Sequence, residues 1–416
     1  MTREFHLGNR KRLYERLKKN SVVVLYSGRL TRKTADEYYP FWADRNFVYL
    51  TGLKKEELVL VAEISDTGVK ETLYLLPPDD RLEKWTGARV KPWQADEISG
   101  IANCKYVETL ESDLHRLFLS GNYENLYLDF NRLTPDEPDS PAYGLCKKAQ
   151  AVYPFLTIKS ITPDIRTLRL IKQPCEIEAM MKAEEITAAG IKAMMHASKP
   201  GMYEYQYKAV WDYTLGQYSP EGSGFPPIIS AGKNNFCIHY YAYTGQAIDG
   251  DMVLNDVGAK WDEHMTDVSR GWPCNGKFTE RQKLLYACMY ATSNHMFDII
   301  RPGMPMKDVD GTIRRYNYER LKDAGVLDKW EDIGKYMWHG GAHHVGYDTH
   351  DDVQTPEIIQ PGMVFCVDIG VYHEEWGIGF RLEDNCLVTE DGCVNLSTAT
   401  PRSVEEIEDE MQKNYF

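Results

Sequence analysis

The sequence predicts an α/β N-terminal domain followed by an α+β C-terminal domain built as a duplicated, pseudo-two-fold unit. Two observations predict it. Residues 1–165 alternate short apolar strand-like runs with helix-like ones, and residues 166–416 repeat one order of helix, Pro-Gly turn, helix and Asp-bearing strand. A chain of 416 residues has room for both, at ~100–200 residues per domain.

In the first part, Val22–Tyr26, Phe47–Leu50, Leu58–Glu63, Thr72–Leu76 and Leu126–Leu128 read as buried strands. They are short, apolar and rich in β-branched or aromatic residues. Pro78-Asp79-Asp80 and Pro135–Pro141 read as loops. A domain boundary is expected near Thr162-Pro163-Asp164. Cys175–Ala197 then reads as a long helix, with Ile177, Met180, Met181, Ile186, Ile191, Met194 and Met195 as core filler at helical spacing.

The echo within the second part has several members. Lys199-Pro200-Gly201-Met202 precedes an amphipathic stretch, Tyr203–Gln217, and Arg301-Pro302-Gly303-Met304 precedes another, Lys307–Lys322. GDMVLNDVG (Gly250–Gly258) is matched by GMVFCVDIG (Gly362–Gly370), which puts Asp256 and Asp368 at equivalent places. Asp267 follows Asp256 after a polar turn, and Glu383 follows Asp368 on what reads as a hairpin partner. Between them lies a histidine-rich stretch holding His339, His343, His344 and His350.

Four carboxylates and one neutral imidazole form a hard, oxygen-rich donor set whose charge balances two divalent cations. Manganese suits such donors best, with zinc, cobalt or iron as alternatives. Bridging carboxylates would hold the ions ~3.5–4 Å apart with a nucleophilic hydroxide between them. Any one of these residues alone carries little weight, since an Asp at a strand end is usually a turn residue.

Composition excludes other classes. Lys and Arg number 48 against 62 Asp and Glu, a net charge of −14, which argues against nucleic-acid or anionic-membrane binding. The nine cysteines are scattered with no CxxC pair, which fits a reducing compartment and weakens a zinc cage. The basic Met1–Asn20 stretch lacks an apolar signal-peptide core, and no run reaches the ~18 apolar residues of a membrane span. A cytoplasmic location is expected.

Read together, these residues make the chain resemble the pita-bread metallopeptidases, within them the aminopeptidase P (Xaa-Pro aminopeptidase) and prolidase branch. The likeness runs nearly the whole length. It includes YPFWADRNFVYLTG (Tyr39–Gly52), LRLIKQPCE (Leu168–Glu176) and NGKFT (Asn275–Thr279). The resemblance implies that Asp256, Asp267, His343, Asp368 and Glu383 hold two metal ions, Asp267 and Glu383 as bridges. It implies that His239, His339 and His350 hold the proline side of a peptide and move protons. Arg381 matches a family arginine that would pair with a carboxylate or the substrate C-terminus, or serve structure alone. His264 and His344 match no family role and read as structural or exposed. A homodimer or homotetramer is implied, with a peptide as substrate.

One residue departs from the family. Where the family has Glu followed by Pro-Gly, this chain has Asp368-Ile369-Gly370. Asp is shorter by one methylene, so a carboxylate ligand and base remains but with less reach. The expected activity is hydrolysis of an N-terminal Xaa-Pro bond. The alternatives are hydrolysis of a non-peptide C–N bond, as in the related creatinase, and a non-catalytic interaction protein on the same scaffold.

Overall fold

The computed structural model describes residues 1–413. Its contacts divide the chain into Met1–Leu168 and a second unit from Arg169 onward. The Thr162-Pro163-Asp164 stretch opens a helix, Thr162–Leu170, that carries the chain through this division.

The first unit is built on a six-stranded mixed sheet. In spatial order its strands are Cys104–Tyr106, Gly68–Leu75, Val59–Ser65, Ser21–Tyr26, Asn125–Leu128 and Thr157–Ser160. Ser21–Tyr26 runs antiparallel to Val59–Ser65 and parallel to Asn125–Leu128. Val22, Val24, Leu126 and Leu128 pack with Leu114, Phe118 and Tyr153 into one core. The apolar run Phe47–Leu50 is helical, within Arg45–Thr51, and not the expected strand. Asp44 caps that helix by accepting from Phe47 N at 2.8 Å, and Gly52 stops it at φ 71°. Asn46 to Thr51 are all buried. A short run buried on every side shows no periodicity that separates helix from strand, and the two caps decide.

In the second unit the helix Pro174–Ala197 opens with Pro at its first position and a Gln173–Glu176 capping box. Met180, Ile186, Ile191, Met194 and Met195 are buried as the spacing predicts, whereas Met181 is 56 % exposed. The echoed segments share backbone geometry. Gly201 and Gly303 sit at φ 87° and 88°, and Gly250 and Gly362 at 88° and 83°. Left-handed values of that kind favour glycine at all four turns. Each turn pair brackets a helix, Glu204–Gly216 or Asp308–Asp323, ahead of a hairpin.

The two hairpins are Met252–Val257 with Val268–Pro273 and Val364–His373 with Ile378–Val388. Arg270, fully buried, ties them together: Nη1 donates to Glu383 O at 2.8 Å, and Nη2 meets Asp384 Oδ1 at 2.6 Å. Among the described residues, no helix is long and apolar enough to cross a membrane.

Candidate metal centre

The hairpin register places the acids. Asp368 lies directly opposite Glu383, and Asp256 lies opposite Ser269, two residues beyond Asp267. Residues two apart on a strand share a face, so each hairpin delivers carboxylates to one side. His343 arrives on a loop laid along the Asp368 strand, where Cys366 N donates to His343 O at 2.8 Å.

Asp256, Asp267 and Glu383 each bring a carboxylate oxygen within 4.8 Å of the others. His343 Nε2 stands 3.4 Å from Asp267 Oδ2 and 3.7 Å from Glu383 Oε1. Asp368 belongs to none of the close groups among the described residues. Its Oδ2 instead meets His339 Nδ1 at 3.0 Å, a pairing that fits its shorter reach.

The donors fit a cation. Oδ1 of Asp256, Asp267 and Asp368 is in each case buried with no hydrogen-bond partner, an arrangement costly for a carboxylate unless something positive completes it. Burial and the neighbouring acids Glu383 and Asp256 push the Asp267 carboxyl well above its ordinary range; burial and the acids Asp368 and Asp256 do the same to Glu383. Divalent ions reverse that balance by replacing protons. Burial, followed by His350, pushes His343 down, which keeps its imidazole neutral and able to ligate. At Asp368 burial pushes up, but His339 more than offsets it and the carboxyl stays below its usual range.

The remaining predicted residues occupy several settings. His350 is exposed, yet its ring centroid lies 4.1 Å from that of His343, and it offers a nitrogen within 4.8 Å of Asp267 and His343. His239 is also exposed and stacks near Tyr241 at 6.4 Å. The Arg381 side chain is 2 % exposed. It pairs with Asp256 Oδ2 at 2.8 Å and donates to Tyr372 Oη at 3.1 Å and Ile238 O at 3.2 Å. Of the roles open to Arg381, carboxylate pairing is the one its buried setting satisfies. His264 is a core residue, 3.2 Å from Glu176 Oε1. His344 is buried too, and that burial, with Lys172 nearby, pushes it down to about 4.

Tyr372, Ser269 and Cys366 escaped sequence reasoning. Tyr372 Oη lies 3.1 Å from His339 Nε2, Ser269 Oγ donates to Glu383 Oε2 at 2.9 Å, and Cys366 Sγ accepts from His343 N at 3.2 Å. Each sits an even number of residues from an acid on its strand, or opposite one, and that alternation was the available signal.

Comparison with known proteins gives the family. Residues 178–390 match the model of metallopeptidase family M24, and residues 6–127 match the aminopeptidase P N-terminal domain. The chain belongs to the aminopeptidase P family of M24 metallopeptidases. The structure of a candidate aminopeptidase P from Bacillus anthracis superposes on this family member with a TM-score of 0.97, at 34 % identity, covering 100 % of this chain and 99 % of that one. Escherichia coli aminopeptidase P with the inhibitor Pro-Leu gives 0.90 at 26 % identity, covering 99 % and 98 %. Haemophilus influenzae Xaa-Pro aminopeptidase is 28 % identical over 421 residues, 97 % of this chain and 96 % of its relative. The echoed C-terminal unit is therefore the M24 pita-bread domain.

Proposed function

We propose that this M24 chain removes the N-terminal residue from peptides whose second residue is proline. Asp256, Asp267, His343, Asp368 and Glu383 hold two divalent ions in this reading, manganese by preference because the donors are mostly carboxylate oxygens. The functional division runs at 1–165 and 166–416, the protein acts in the cytoplasm, and it assembles as a homodimer or homotetramer. The observation that carries the reading is the close grouping of buried Asp267 and Glu383 with half-buried Asp256, an unpartnered oxygen on each of the two aspartates, and the His343 imidazole beside Asp267 and Glu383.

When bound, the ions would supply an activated water and Lewis-acid polarisation of the carbonyl. The chain's own groups do the rest. The cluster of acids draws in the substrate's terminal ammonium. Asp368 Oδ1 takes the proton of the attacking water, while His339 Nδ1 holds Oδ2 at 3.0 Å. His239, His339 and His350 shape the proline side and return a proton to the leaving nitrogen. Arg381 Nη2 holds Asp256 in place from behind.

The test is release of the first amino acid from Xaa-Pro peptides in added Mn²⁺, beside peptides lacking proline and small non-peptide amides. Release specific to Xaa-Pro, abolished in Glu383→Ala and Asp267→Ala, is expected. Turnover of the amides alone would select the creatinase-like alternative, and no turnover with metal bound would leave only a binding role.

A further inference from the structure

A second ionic cluster lies apart from the acids of the metal centre. Arg169 Nη2 meets Asp351 Oδ1 at 2.5 Å and Asp348 Oδ2 at 2.7 Å, and Lys172 Nζ meets Asp351 Oδ2 at 2.7 Å. The Arg169 and Lys172 side chains are each 2 % exposed and that of Asp351 is 0 %. Two cations and two carboxylates thus balance one another, and Lys172 Nζ also donates to Arg169 O at 2.7 Å. Charges are costly to bury, and sequestering a set like this rarely adds stability over an apolar core. Its use is better sought in what it orients.

The cluster orients one loop. Asp351 N donates to His344 O at 2.8 Å, closing the neck of a turn that runs from His343 to His350. Those two rings stand 4.1 Å apart at the mouth of the turn. Inside it, Asp348 N donates to Asp351 Oδ1 at 3.2 Å and the Arg169 guanidinium lies 5.6 Å from the centroid of the Tyr347 ring. Gly346 passes so close that a Cβ there would stand 2.5 Å from Asp351 Oδ2 and 2.7 Å from Lys172 Nζ. Lys172 is itself fixed, its N donating to Gly362 O at 2.8 Å.

We propose that Arg169, Lys172 and Asp351 are positioning residues that hold the 343–351 loop and so set His350 against His343 for the peptidase reaction. This rests on the function proposed above only for its kinetic arm. The cluster touches no reacting atom, and it acts on rate through where the loop places His350.

The test uses the metal-loaded full chain. Lys172→Met removes one of the two cations on Asp351 and leaves Arg169, and Lys172→Arg keeps the charge. Hydrogen exchange of amides 344–353 is expected to accelerate about tenfold in Lys172→Met, with the Val364–His373 strand unchanged. On an Xaa-Pro peptide kcat falls about tenfold while KM moves by less than about threefold. Lys172→Arg recovers most of both. In a His350→Ala background, Lys172→Met costs kcat nothing further, since coupled residues are non-additive. An equal additional loss in that background, or unchanged loop exchange, overturns the proposal. Should Lys172→Met not fold, Asp348→Asn, which perturbs the partly exposed member, decides by the same two readouts at smaller amplitude. If the unsubstituted protein cleaves no peptide, the functional reading fails while the exchange arm still judges the positioning.

Discussion

Asp368 reaches less far than a glutamate from the same strand position: its Oδ2 meets His339, and its Oδ1 is buried without a hydrogen-bond partner, outside the close group of Asp256, Asp267 and Glu383. Asp368→Glu is expected to carry the oxygen toward that group and tighten binding of the second ion. Calorimetric metal titration checks this, with a stronger second binding step as the expected outcome. Gly370 matters for a steric reason: a Cβ there would stand 2.3 Å from His339 Nε2. Gly370→Ala must push the imidazole aside, so kcat on Xaa-Pro peptides should fall about tenfold with metal content unchanged. At this scale the acids were legible because the echo set them at matching places on two strands. Ser269 and Tyr372 were not, because a hydroxyl in an apolar strand looks the same in sequence whether it packs or holds a ligand. Arg381 was legible as a residue, but its partner was not, since that contact joins positions 125 apart in sequence.

The long helix Pro174–Ala197 shows what helical spacing conveys and what it omits. Its buried methionines follow the period, yet on the same buried face sits Glu184, 2 % exposed, accepting from Ser397 Oγ at 2.9 Å. Burial pushes its carboxyl up to about 8. The folded state therefore binds a proton there that the unfolded chain has released at neutral pH. The resulting stability is full below the unfolded value and is lost as pH rises from about 4.5 through about 8. Glu184→Gln removes that dependence, and its melting temperature should exceed the parent's by more at pH 8.5 than at pH 5. An increment independent of pH would contradict the assignment. The helix Arg45–Thr51 marks the opposite limit. Its type rests on Asp44 and Gly52 at its ends, and a reading led by the apolar run between them passes over both. The hairpins, by contrast, were legible because strand, polar turn and strand recur in order.

Across the whole molecule the net charge is −14, and Asp267, Asp368 and Glu383 are buried together where two hairpins meet. Uncompensated, they oppose folding of the C-terminal unit, and ions that bind only the folded form stabilise it by mass action, about 2.7 kcal/mol per site at a hundredfold excess over Kd. A chelator should therefore lower the melting temperature, and added Mn²⁺ should raise it with the logarithm of concentration. The duplicated plan was visible in the sequence through four glycines and two Asp-bearing strands. The ionic cluster of Arg169, Lys172 and Asp351 was not, because Asp351 stands 179 positions from Lys172 and 182 from Arg169 and only the fold brings it to them. The central claim, a pair of divalent ions held by Asp256, Asp267, His343, Asp368 and Glu383, is tested most directly by counting bound metal in the purified chain after Mn²⁺ loading and gel filtration. Two ions per chain, falling to one or none in Asp267→Ala, are predicted; a chain that retains no metal would contradict it.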